Sequence, residues 1–159
     1  MKKIIFLLFV LTLSMTSCLK SDLEVVEGST NCELSDVEFE YRWTEDVIGS
    51  DGKPTGVSEL QYKKLDVNKS IDKNNGKVIL KLTVPKAGGK FTNEVREKAS
   101  LSNIVGMFTV SSAASVKPLN NAPKLGLPGD YSQKTYTYRV IAAAGNYMDW
   151  IIDITEFNK

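Results

Sequence analysis

From residue 35 onward the chain alternates between apolar and polar positions. Val37, Phe39, Tyr41 and Trp43 are separated by Glu38, Glu40 and Arg42, a period of two that predicts a strand with one buried and one wet face. Leu60 and Tyr62 open a second such segment running toward Val67, with a register change expected at Lys63-Lys64. Val78, Leu80, Leu82 and Val84 line a third, bounded by the turn signal Asn74-Asn75-Gly76-Lys77 and by Pro85. Residues 105–110 make a fourth. The C-terminal pair is the clearest: Tyr136, Tyr138, Val140 and Ala142 run one way, Gly145-Asn146 supplies a hairpin turn, and Met148, Trp150, Ile152 and Ile154 return. Only residues 93–101 read as helical, as one short turn with Glu94 and Lys98 an i,i+4 pair.

About seven short strands separated by turns predict an all-β, immunoglobulin-like β-sandwich over residues 34–159. Trp43 and Trp150 fall in the apolar register of their strands and belong to its core. The longest irregular stretch, 117–134, carries Pro118, Pro123 and Pro128; long loops of this kind often carry function. Tyr131 in that loop, and Tyr147 on the face opposite Trp150, are the aromatics that an exposed ring would offer to a sugar.

The first eighteen residues follow a different pattern. Lys2 and Lys3 precede an apolar run at 4–13 broken by Thr12, then Ser14, Thr16, Ser17 and Cys18. A spanning helix needs roughly 20 apolar residues, so the run suits a cleaved secretory signal. Met15-Thr16-Ser17-Cys18 resembles the bacterial lipobox, with Met where Leu is usual. The resemblance implies a lipoprotein signal peptide at 1–17 and acylation of Cys18, so that acyl chains hold the protein on a membrane. Residues 18–33, polar and acidic, read as a flexible tether. Lys20, Asp22, Glu24 and Glu27 resemble the charged signals that follow the cysteine in surface-exposed lipoproteins. This favours the cell surface over a periplasm-facing position at the outer membrane.

Composition narrows the chemistry. Twenty basic and 19 acidic residues leave a net charge of +1, which the loss of Lys2 and Lys3 turns slightly negative; no nucleic-acid partner is expected. The chain has no histidine, so neither a zinc or copper site nor an activated Cys32 nucleophile is expected. With Cys18 acylated, Cys32 has no disulfide partner. Gly89-Lys90 lacks the rest of a phosphate loop, because Val84 and Phe91 occupy its glycine and Ser/Thr positions. Asp51-Gly52 reads as a turn rather than a calcium loop. Glu38 with Glu40, and Asp149 with Asp153, are the carboxylate pairs a glycosidase would need, but solvated strand faces carry such residues routinely. Neither enzymatic activity, cofactor nor metal is expected.

One series of residues looks familiar. Phe108-Thr109-Val110-Ser111, Ala114, Pro118, Asp130-Tyr131-Ser132, Tyr136-Thr137-Tyr138-Arg139-Val140 and Gly145 resemble the Ig-like domains of Bacteroidota lipoproteins over about residues 100–155. Ala144-Gly145-Asn146 replaces their usual Asp-Gly turn. The resemblance implies the sandwich fold and, for Tyr131, a plug at the sandwich end. It implies no activity, although such domains often serve glycan-acquisition or surface proteins. The expected function is a non-catalytic, lipid-anchored accessory or binding module at the outer membrane, with a glycan or surface protein as partner. The alternative is a pilus or fimbria-type subunit assembling by strand addition.

Overall fold

The computed structural model describes residues 28–159. The signal segment, Cys18 and the first part of the expected tether lie outside the described residues. The strands are β1 (Leu34–Ile48), β2 (Pro54–Lys64), β3 (Asp66–Asp72), β4 (Lys77–Thr83), β5 (Ile104–Val110), β6 (Ser115–Leu119), β7 (Pro128–Gly129), β8 (Thr135–Ile141) and β9 (Tyr147–Asn158). One sheet runs β2-β1-β5-β7 and the other β3-β4-β9-β8-β6. The β6-β8-β9 order is that of the C, F and G strands of an immunoglobulin sandwich. The fold is thus the expected all-β sandwich.

The alternation read from the sequence sets its core. Val37, Phe39, Tyr41 and Ile104 point inward from the first sheet; Val78, Leu80, Leu82, Tyr136, Tyr138, Val140, Trp150, Ile152 and Ile154 do so from the second. In the β8–β9 hairpin Tyr138 lies opposite Trp150 and Tyr136 opposite Ile152. Such direct pairs hold a sheet's register. Tyr136 donates its hydroxyl to the Asp130 carbonyl, 2.9 Å away, the contact that fastens the start of the F strand in immunoglobulin domains. Gly76 turns β3 into β4 at φ +59, and a Cβ there would meet the Asp149 carbonyl oxygen at 2.6 Å. Two independent demands therefore exclude other residues at this position.

Among the described residues nine strands stand where about seven were expected, for reasons that lie in long-range contacts. The second predicted strand is two: the chain changes sheets at Leu65, which is buried and donates its backbone N–H to Phe39 O at 2.9 Å. The loop expected at 117–134 begins as β6, where Pro118 is tolerated because β6 lies at a sheet edge. Its end holds the two-residue β7. The expected helical turn is α1 (Asn93–Lys98), capped by the Thr92 hydroxyl accepting from Val95 N, followed by a 3₁₀ turn at Leu101–Asn103.

The last residues assigned to the tether lie against the sandwich. Ser29 O accepts from Ala144 N at 3.1 Å, Cys32 O from the Trp150 indole at 3.1 Å, and Glu33 O from Ser111 N at 3.0 Å.

Candidate functional site

The structure separates the two aromatics singled out in the sequence. Tyr131 is completely buried, set edge-on between Phe39 at 5.1 Å and Tyr136 at 5.3 Å. The expectation that it stacks on a ligand is corrected: it plugs the sandwich. Its loop leaves it no way out, because Tyr131 N donates to Leu101 O at 2.6 Å and Tyr138 donates its hydroxyl to Pro123 O at 2.8 Å. Burial pushes the Tyr131 phenol above its ordinary pKa, against a smaller pull downward from the Tyr138 hydroxyl and the Gly106 backbone, and among the described residues its hydroxyl makes no well-formed hydrogen bond.

Tyr147 is exposed, but the Arg139 guanidinium lies 3.9 Å from its ring centre, so one face is already taken by a cation–π contact. Arg139 in turn holds Asp149 through two bonds of 2.7 and 2.8 Å, and that contact keeps the Asp149 carboxyl below its usual range. The other suspected carboxylates are also matched. Glu38 meets Lys64 at 3.0 Å, Glu40 is buried against Arg42 at 2.5 Å, and Asp153 lies 3.9 Å from Lys77. A general acid must keep its proton near neutral pH; the ion pair at Asp149 works against that.

Lys69 likewise lowers Asp36, and Lys81 lowers Glu156. Carboxyls depressed in the folded state stabilise it fully above their unfolded pKa of about 4 and lose that contribution as pH falls through the lowered values. The unfolding midpoint should therefore be flat from about pH 5 to 7 and drop below about pH 4. A midpoint that rises on acidification would contradict these ion pairs.

The least expected surface is an arm. β1 pairs with β5 only as far as Tyr41, whereas its pairing with β2 continues from Glu40 to Ile48. Beyond Tyr41 the hairpin is a two-stranded ribbon, a form marginal without support. Support comes from below, where Trp43 packs on Phe91 at 5.5 Å, and Lys90 reaches Glu45 at 3.4 Å and Glu59 at 3.5 Å. The ribbon turns at Gly49–Lys53 through Gly52 (φ +74), as Asp51-Gly52 suggested. Ile48, Val57, Leu60 and Tyr62 are all exposed on it, Leu60 at 63%. The sequence did hold a signal for this: Val57 is out of phase with Leu60 and Tyr62, so no single buried face could take all three.

A polar groove of about 440 Å³ runs over β3, β4 and β9. Two cross-strand rows line it, Asp66-Thr83-Asn158 and Asn68-Lys81-Glu156, with Lys81 and Glu156 joined at 2.6 Å. Among the described residues no group of three or more Cys, Asp or Glu is placed to hold a metal ion, and no helix is long and apolar enough to cross a membrane.

Residues 34–153 match the DUF5018-related family. A crystal structure of a Bacteroides fragilis NCTC 9343 protein, described as secreted by inference, superposes with a TM-score of 0.72 at 35% sequence identity. The match covers 82% of this chain and 98% of that one. No curated protein matches.

Proposed function

The chain belongs to the DUF5018-related family, and from that premise we propose that it is a non-catalytic, lipid-anchored binding module displayed at the outer-membrane surface. Export is supported by the likeness to the B. fragilis protein described as secreted by inference and by the signal and lipobox pattern ending at Cys18. The observation that carries the binding role is the arm. Four large apolar side chains stand exposed on one ribbon, with Leu60 and Tyr62 on one face and Val57 on the other, and large apolar side chains left in water on a projecting element mark an interaction site. Ile48, Val57 and Leu60 are aliphatic and Tyr62 is the one aromatic among them, a mixture that suits a protein partner better than a sugar.

A glycan contact is the second reading. It rests on the groove over β3, whose hydroxyl, amide, ammonium and carboxylate groups could match sugar hydroxyls, although no aromatic ring lines it. The fimbria-type alternative rests on the open edge of β2.

Cross-linking on intact cells tests the arm. A photo-reactive residue at position 57 of the full chain should give a discrete adduct, and one at Lys117 on β6 should not. Equal labelling from both positions, or none from 57, removes the arm as the binding surface. In the same cells, labelling with a fatty-acid analogue should be lost in Cys18→Ala; label that persists removes the lipid anchor.

A further inference from the structure

The outer edge of β2 carries an ordered pattern of its own. β2 is the last strand of its sheet, so its outward backbone N–H and C=O groups form a row without strand partners among the described residues. Such edges pair readily with another strand unless something guards them. Two copies of one strand can pair antiparallel about a two-fold axis, and hydrogen bonding requires directly opposed residues. The centre then fixes every pair. Centred on Gln61, Leu60 lies opposite Tyr62, Glu59 opposite Lys63 and Ser58 opposite Lys64, each pair occurring twice. Centred on Glu59, like charges meet; centred on Tyr62, Leu60 faces Lys64. Only the Gln61 register joins the exposed apolar pair and the opposite charges together. The Gln61 amide gives one N–H to Glu59 Oε2 at 3.3 Å and keeps its second N–H and its oxygen, a donor and an acceptor that suit a residue on the axis.

Resting on the arm as the interaction surface, we propose that its occupant is a second copy of this chain, joined β2 to β2 in the Gln61-centred register. The two four-stranded sheets become one continuous sheet across the axis. Leu60 and Tyr62 cover each other on its outer face. Glu59 keeps an oxygen for this role: its contacts with Lys90 at 3.5 Å and Gln61 at 3.3 Å both fall on Oε2, and its side chain is 58% exposed. The interface uses the same patch on both copies, so it closes as a dimer and does not propagate as a fibre.

The test uses the full acylated chain in intact cells, with Cys32→Ser to remove the other described thiol. Directly opposed strand residues have Cα atoms about 4.5–5.5 Å apart, within disulfide range. Gln61→Cys should therefore give a reductant-sensitive dimer on a non-reducing gel, and Thr44→Cys on β1 should not. Added to Gln61→Cys, either Glu59→Lys or Lys63→Glu opposes like charges twice and should cut the dimer about tenfold. Co-expressing the two charge variants restores opposite charges in the mixed pair and should restore the disulfide. Absence of the Gln61→Cys dimer overturns the proposal, while the arm reading is judged separately by the adduct from position 57. A disulfide indifferent to both charge changes, or one not restored by mixing, overturns the register.

Discussion

Trp150→Ala is expected to lower the unfolding free energy by about 3–5 kcal/mol, the range for removing a large buried aromatic. Trp150 is completely buried, lies opposite Tyr138 and shares its face with the buried Ile152 and Ile154. Its truncation leaves a cavity in the middle of the second sheet's inner face. It also removes the indole donor to Cys32 O, which ties the segment ahead of β1 to the domain. Tyr147→Ala is the control. That residue is 59% exposed on the other face of the same strand and loses chiefly its contact with Arg139, about 0.5–1 kcal/mol at an exposed site. Denaturant titrations of the two variants measure the difference. Equal losses would mean that the faces of β9 are inverted.

The second large effect is expected at Gly106. A Cβ there would lie 2.6 Å from the Tyr131 hydroxyl oxygen and 3.2 Å from a Phe39 ring carbon. Both rings are buried and locked edge to face, so Gly106→Ala overpacks the core and should cost about 1–3 kcal/mol. Tyr131→Phe removes the obstructing oxygen, which has no hydrogen-bond partner among the described residues. That oxygen is close to the Tyr138 hydroxyl and the Gly106 backbone without a well-formed bond to either, so it contributes little and Tyr131→Phe alone should be near neutral. The double variant should recover most of the loss, which a double-mutant cycle reads directly. If Tyr131→Phe is strongly destabilising, or fails to relieve Gly106→Ala, the hydroxyl holds a partner such as a buried water and the plug is a polar one.

Sequence patterning exposed much of the fold because a strand's side chains alternate regardless of what lies across from them. The β8–β9 hairpin is the clear case: its inward residues, its turn and the exposure of Tyr147 all followed from period two and one turn dipeptide. Where the reading fell short, a distant contact made the decision. Whether residues 60–72 are one strand or two depended on Leu65 bonding to Phe39, 26 positions earlier. Tyr131 looked equally suited to a ligand or a plug until Phe39 and Tyr136 were found on either side of it. Pro118 marked a loop by local chemistry, yet an edge position spared its missing N–H. Glu40 finds Arg42 two residues along its own strand, but Lys64 reaches Glu38 only because β1 and β2 pair.

By itself, then, the sequence determined the quantities that are local: strand period, turn chemistry, the absence of histidine, and the residue types ahead of Cys18. These depend on neighbours a few positions away and leave their mark in order and spacing. The tertiary structure alone decided which strands share a sheet, which aromatics see water, and where β1 and β2 outrun their neighbours to form an arm. Those properties are set by contacts between residues tens of positions apart, and period two records only that a side chain faces inward or outward, never what it meets there.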